Sequence, residues 1–343
     1  MKIPVAVYPY CAELLPIVKH FEAFQNKYKI VKLIAPPGLG LNGKDASYVC
    51  NHPKIDMNVT DSFNENDPLW EVLFLPRVCQ PGVVDNEQLA YIAELTVSAG
   101  KNVIYYDDNV YDVPERISHL TNIYPEKLLI VTEDAVTRIN KKQSEYYDVL
   151  DTPVILIGGL TSHEDTFEVI VNLAISFMKR GIEATIITKQ NAPLMLSKRF
   201  HNVSSIFKSM NVSESEKILS LYLYIKEINL IEAPGVILIE APDTLFRFND
   251  FAPNGFGIKT FMISQAVAPD YLICCIPCDL AHEKLLSTIS DDMSVLLGSS
   301  INAVHVFHVL HVRVHVRQSP EKVRFRWTLA TDLLLIQIIA GHQ

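Results

Sequence analysis

Residues 153–181, PVILIGGLTSHEDTFEVIVNLAISFMKRG, constrain the fold of this chain more than any other stretch. Val154, Ile155, Leu156 and Ile157 form a short, mostly β-branched run behind a proline, the composition of a strand buried on both faces of a parallel sheet. Gly158 and Gly159 permit a sharp turn. Phe167, Ile170, Val171, Ala174, Phe177 and Met178 then recur at helical spacing until Gly181 stops the helix. Strand, glycine turn and amphipathic helix in this order describe either a phosphate-binding loop or a strand-turn-helix unit without a ligand.

With the frame set on Gly159, G-LTSH-EDT meets the phosphate-loop pattern G-xxxx-GK-[ST] only at Gly159 and Thr166. Glu164 and Asp165 occupy the positions of the second Gly and the Lys. A carboxylate about 4 Å from a phosphate charge repels it by roughly 4 kcal/mol at an effective dielectric near 20. Tight ATP binding in the usual pose is therefore not expected, whereas two acids ahead of a first helical turn favour the helix dipole. Gly158, Gly159, Thr166 and Glu168 are the candidate ligand-binding residues of this segment.

A chain of 343 residues is long enough for about two domains. With 49% hydrophobic and 20% charged residues it has the makings of sizeable cores, and its net charge of -9 argues against nucleic acid or an anionic membrane as partner. No N-terminal targeting signal stands out, and no apolar run reaches the ~18 residues of a membrane span, so a cytoplasmic protein is expected. Six cysteines without regular spacing read as reduced thiols.

The first half alternates strands (residues 3–8, 29–35, 72–75 and 102–106) with helices (14–24 and 86–98), which predicts a parallel sheet with helices on both faces. Ligands in such sheets sit beyond the carboxyl ends of the strands. That places Tyr8, Tyr10 and the loop GLGLNGKD, with Gly38, Gly40, Gly43, Lys44 and Asp45, at a candidate crevice. The loop follows the second strand, stands behind two prolines and opens no clear helix, so its likeness to a dinucleotide fingerprint is one of letters alone.

The pattern weakens between residues 111 and 151, where the domain boundary is placed. The expected division is a Rossmann-like domain at 1–150, a degenerate phosphate-loop-like domain at 151–316 and a β-rich extension at 317–343. In the second domain a strand at 184–188 precedes a helix at 213–228 with Ser213 and Glu216 as its capping box, and a strand at 235–240 follows. A helix near 258–267 and a strand at 271–276 come next. Glu240 and Asp243 come where a magnesium-holding acid would stand, although EAPDTLFRFNDFAPNGFG is also simply rich in turn formers. Cys274, Cys275 and Cys278 lack a second pair for zinc and read as strand cysteines. In VHVFHVLHVRVHVR the alternation is that of a strand, which makes a histidine-rich edge and separates His305 from His311 by about 20 Å.

YPYCAELLPIVKH, GLGLNGKDA, the FEV after the glycine turn, SESEKI, FNDFAPNGFGI and SQAVAPD occur in this order over roughly residues 1 to 280. Together they resemble the family of clostridial peptide maturation system proteins, encoded beside radical-enzyme and transporter genes of ribosomally made, modified peptides. The resemblance implies a Rossmann-like domain joined to a degenerate phosphate-loop domain, with no established reaction. In the family a Lys directly precedes Phe-Glu, and here Thr166 takes that place ahead of Phe167 and Glu168.

The resemblance further implies that Asn254, Gly257, Ser264 and Gln265 line a binding crevice, whereas Asp243 stands where the family has small residues. The implied function is that of an accessory protein binding a precursor peptide or a peptide-modifying enzyme, without robust NTP hydrolysis. The alternative is a magnesium-dependent phosphate-loop-class NTPase or ligase acting in peptide modification. The cofactor stays open, a nucleotide with magnesium being disfavoured by the loop. Recognition is expected between the domains, with Tyr8, Tyr10 and residues 38–45 facing Gly158, Asn254 and Gly257.

Overall fold

The computed structural model describes residues 2–50, 53–77, 84–107, 113–132, 150–160, 166–210, 212–247, 254–313, 324–329 and 335–337. The chain is an α/β protein with two parallel-sheet domains.

The first sheet is built from β1 (Ile3–Val7), β2 (Tyr28–Ile34), β3 (Val59–Thr60), β4 (Val72–Pro76), β5 (Asn102–Asp107) and β6 (Leu128–Thr132). These strands are all parallel, in the order β3-β2-β1-β4-β5-β6. The helices α1 (Leu15–Phe24), α2 (Asn86–Ser98) and α3 (Glu115–Ile123) cover it. β4 reads VLFLP and is buried throughout, as a strand covered on both faces must be. α3 and β6 fall where the sequence pattern was weak. Among the nine residues of α3 only Ile117 and Leu120 are buried, so its apolar stripe is too narrow to stand out.

The second sheet holds β7 (Val154–Gly159), β8 (Ala184–Thr188), β9 (Phe200–Asn202), β10 (Val236–Glu240), β11 (Tyr271–Pro277) and β12 (Ile301–Arg313), parallel in the order β12-β11-β7-β10-β8-β9. The antiparallel strands β13 (Arg324–Leu329) and β14 (Leu335–Gln337) pair with β12 and make the C-terminal part β-rich. α4 (Thr166–Lys179) packs on β7, β8 and β10, and the short α5 (Ser204–Lys208) contacts α6 (Glu214–Glu232). α7 (Ile258–Ala266) lies between α6 and α8 (Glu283–Leu297). Ser213 and Glu216 form the expected capping box of α6. Residues 29–35, 213–228 and 258–267 of the sequence reading become β2, α6 and α7 with ends moved by a few residues.

β7 is central. Val154 and Leu156 face one core while Ile157 faces the other, and all three are almost wholly buried. At about 1.5–3 kcal/mol for each large aliphatic side chain taken from water, such a strand anchors both layers. β12 is no edge, because β11 lies on one side and β13 and β14 on the other. His305 accordingly is buried, which corrects the expectation of a histidine-rich edge at that position. Cys274 and Cys275 are fully buried strand cysteines, and Cys278 is exposed.

The two domains share one core. Phe21 and Phe74 of the first belong to the same cluster of buried residues as Ile157, Val171 and Phe200 of the second. α1 packs on α4, and the rings of Phe24 and Phe200 meet edge to face at 5.2 Å. Gln25 donates across the same boundary to the carbonyl of Met195 at 3.1 Å. No helix of the described residues is long and apolar enough to cross a membrane.

Candidate functional site

Beyond the carboxyl ends of β7 and β10 the second domain opens into a pocket of about 720 Å³. Gly159 and Thr166 line it from either side of the loop joining β7 to α4, and Lys189 enters from the residue after β8. Glu214 and Lys217 come from the start of α6, and Gly255, Ile258, Lys259 and Met262 from the turn and first turns of α7. Phe207 and the stretch Pro242, Asp243 and Thr244 also line it. Parallel strands deliver side chains and loops to the carboxyl end of the sheet, which is why segments distant in sequence meet there.

Thr166 on the pocket wall is held by a buried partner behind it. The hydroxyl of Thr166 donates to Oε1 of Glu240 at 2.8 Å, and both residues are almost fully buried. Lys189 Nζ lies 3.2 Å from the same oxygen. A buried carboxylate needs such partners, because an uncompensated one costs several kcal/mol of desolvation. Glu240 ends β10, and its carboxylate is held by Thr166 and Lys189. The two carboxylate oxygens of Asp243 accept from the backbone N–H groups of Lys259 at 3.1 Å and Thr260 at 3.0 Å, and the Thr260 hydroxyl donates to it at 2.6 Å. These are orphan donors of the α7 start, so Asp243 satisfies the helix terminus while lining the pocket.

Gly257 has φ +70°, and a Cβ there would lie 2.6 Å from the Leu245 carbonyl oxygen. The turn into α7 is thus closed to other residues. Asn254 opens the same turn, Asn254–Gly257. Gly158 does not face the pocket: a Cβ there would meet Leu245 Cδ2 at 2.5 Å and Ala241 Cβ at 2.9 Å, so it serves close packing. Ser264 is buried and donates to the Phe261 carbonyl, the Gln265 amide donates to Ser264, and neither is among the described residues that line the pocket. Glu164 and Asp165 lie outside the described residues.

Glu168 is a domain clamp, not a ligand residue. Its Oε1 lies 2.6 Å from Lys19 Nζ and 3.0 Å from His20 Nε2, both on α1. Burial alone raises its carboxyl, yet the hydrogen bonds and charges of His20 and Lys19 more than offset this and hold it at about 2.

Of the residues expected on the first domain's side of a crevice, Tyr8, Tyr10 and Asp45 are engaged in the fold. Tyr10 is fully buried and its hydroxyl donates to the Ala46 carbonyl at 2.8 Å. Tyr8 packs edge to face on Phe63, and burial, with the charge of Asp85, pushes its phenol up to about 12. Asp45 accepts from the N–H groups of Ser47, Ile55 and Met57 and so pins the loop that begins with Gly38. Gly38, Gly40 and Gly43 all have positive φ, and Lys44 lies over the Tyr48 ring at 4.8 Å. None of these residues lines the pocket, whose walls among the described residues belong to the second domain. A lone sequence cannot separate a tyrosine at a strand end that meets ligand from one that turns into the core.

Sequence reasoning missed Lys189, Lys217 and Lys259. Lys217 sits in SESEKI and Lys259 follows FNDFAPNGFGI, so the segments were noticed but the cations were not. Among the described residues no group of three or more His, Cys, Asp or Glu side chains could hold a metal ion.

No family model and no curated protein matches the chain. Among solved structures it is similar to a DUF1611 family protein from Anabaena variabilis, with a TM-score of 0.58 at 11% identity over 89% of this chain and 88% of that one. It is also matched to the signal recognition particle 54 kDa protein of Aeropyrum pernix in complex with GDP, with a TM-score of 0.30 at 12% identity over 58% of this chain and 50% of that one. The first likeness extends over both domains and shows what this chain shares with that protein: the α/β fold of two parallel-sheet domains.

Proposed function

We propose that this chain is a cytoplasmic accessory protein in the maturation of a ribosomally made, modified peptide, and that its second domain binds the precursor peptide or the modifying enzyme at the strand-end pocket. One observation carries the reading. Two of the segments behind the family resemblance, separated by tens of residues, meet around this pocket: Glu214 and Lys217 belong to SESEKI, and Gly255 and Ile258 belong to FNDFAPNGFGI. The test is association of the full chain with the cognate precursor peptide and, separately, with the modifying enzyme, by biolayer interferometry. Lys217→Glu and Ile258→Ala should each weaken one of these associations by about tenfold, near the worth of one good contact. Wild-type affinity for both partners in folded variants would place recognition elsewhere.

A second reading, a magnesium-dependent phosphate-loop-class NTPase or ligase, is favoured by the Thr166–Glu240 contact. A hydroxyl after the loop and a carboxylate at the end of a neighbouring strand are oxygen donors of the kind that hold magnesium beside substrate phosphates. Thr166 and Glu240 would hold the ion, which polarises phosphate oxygens when bound. The acids at positions 164 and 165 speak against turnover. Magnesium-dependent ATP hydrolysis that is lost in Glu240→Gln would establish the second reading over the first.

A further inference from the structure

We propose that the pocket takes a phosphate-bearing ligand with an aromatic ring, a nucleoside diphosphate being the class that fits, and that Lys189 supplies the positive charge that the β7–α4 loop lacks. The inference rests on the reading that this pocket is the protein's ligand site. It does not depend on which macromolecule the protein assists.

A phosphate-loop lysine normally reaches the terminal phosphates from the residue before the Ser or Thr. Here that residue is Asp165, and Thr166 is retained. Lys189 approaches from another direction. β8 lies beside β10, so the residue after β8 brings its ammonium to within 3.2 Å of the Glu240 oxygen that accepts from Thr166. An ammonium has three donors. One serves Glu240, and because Lys189 also lines the cavity the others are available on its open side.

Two further cations line the same pocket. Lys217 is only 12% exposed at its side chain and is paired with Glu214 at 3.0 Å, a carboxylate that is itself 65% exposed. Lys259 has its ammonium 5.9 Å from the Phe207 ring centre. Of the acids nearby, Glu240 is committed to Thr166 and Lys189, Asp243 to the first N–H groups of α7, and Glu214 offsets the charge of Lys217. Lys189 and Lys259 therefore keep donors for a guest, while Glu240 and Asp243 are occupied by the protein.

Phe207, Ile258 and Met262 add an apolar wall beside these charges. A bare phosphate would leave that wall unused. A cavity of about 720 Å³ has the size of a small-molecule site, and a ring on Phe207 with its phosphates towards Lys189 uses both halves.

Isothermal titration calorimetry of the full chain with ADP, adenosine and inorganic pyrophosphate tests this. ADP should bind saturably and adenosine should not at comparable concentration. Lys189→Gln and Lys259→Gln should each weaken ADP and pyrophosphate by about tenfold or more, the share of one charge-assisted hydrogen bond. Phe207→Ala should weaken ADP while leaving pyrophosphate unchanged. Absence of saturable ADP and pyrophosphate binding at millimolar concentration, or wild-type affinity in folded Lys189→Gln and Lys259→Gln proteins, would overturn the proposal. Association with the precursor peptide and with the modifying enzyme is measured without ADP, so that failure of the accessory reading is registered separately.

Discussion

Oε1 of Glu168, in the first turn of α4, lies 3.0 Å from Nε2 of His20 on α1. The helix that borders the pocket is thereby tied to the first domain two residues beyond Thr166. Lys19 strengthens the tie from the same helix turn.

This clamp predicts a definite pH dependence. The folded value of Glu168, about 2, lies below its ordinary 4.5. Its contribution to stability is therefore complete above about 4.5 and is lost as the pH falls towards 2. Glu168→Gln should cost on the order of 2 kcal/mol at pH 7, and the gap between variant and wild type should close as the pH is lowered through this window. Urea unfolding at several pH values measures it. A gap that stays constant down to acid pH would show that the clamp contributes by packing and not by charge.

The two glycine classes should separate in stability. Gly257→Ala forces a Cβ to 2.6 Å from the Leu245 carbonyl oxygen at φ +70°, and should destabilise by about 2 kcal/mol or more. Gly43 has a similar φ of +71° but nothing within 4 Å of its Cβ direction. Gly43→Ala should cost only about 1 kcal/mol, the left-handed backbone penalty alone. Equal midpoint shifts for the two variants would contradict this account.

Tyr10→Ala should act through the fold. The side chain is fully buried, so its removal leaves a cavity worth about 3–5 kcal/mol, and Tyr10→Phe should cost only about 1 kcal/mol by losing the bond to Ala46. Thermal melts of both variants check the order. A fully stable Tyr10→Ala protein with impaired partner binding would restore Tyr10 to a recognition role.

Reverting the loop while keeping Thr166 should raise anion affinity. Glu164→Gly combined with Asp165→Lys removes two carboxylates and adds one cation, and each charge about 4 Å from a phosphate is worth several kcal/mol before solvent screening. Pyrophosphate should bind at least about tenfold more tightly than to wild type. Unchanged affinity in the folded double variant would place the anion away from this loop.

Local patterns were legible where one element explains itself. The apolar run of β7 and the capping box of α6 depend on neighbours a few residues away, and their chemistry is written in consecutive letters. The burial of Cys274 and Cys275 follows from their place in a continuous apolar strand. α3 and β6 were not legible, since a helix burying two residues leaves too weak a period.

By itself, then, the sequence determined the two-sheet α/β plan and the missing cation of the β7–α4 loop, because periodicity and residue identity are local properties. Only the tertiary structure decided what replaces that cation and which acids are committed. Lys189, Lys217 and Lys259 meet because β8 lies beside β10 and because α6 and α7 begin at the same end of the sheet. Strand order is a long-range choice, made by burying the faces of all elements at once. The same choice turned Tyr10 into the core, set Glu168 against α1 and left Glu240 under Thr166, three outcomes that depend on neighbours more than 30 residues away.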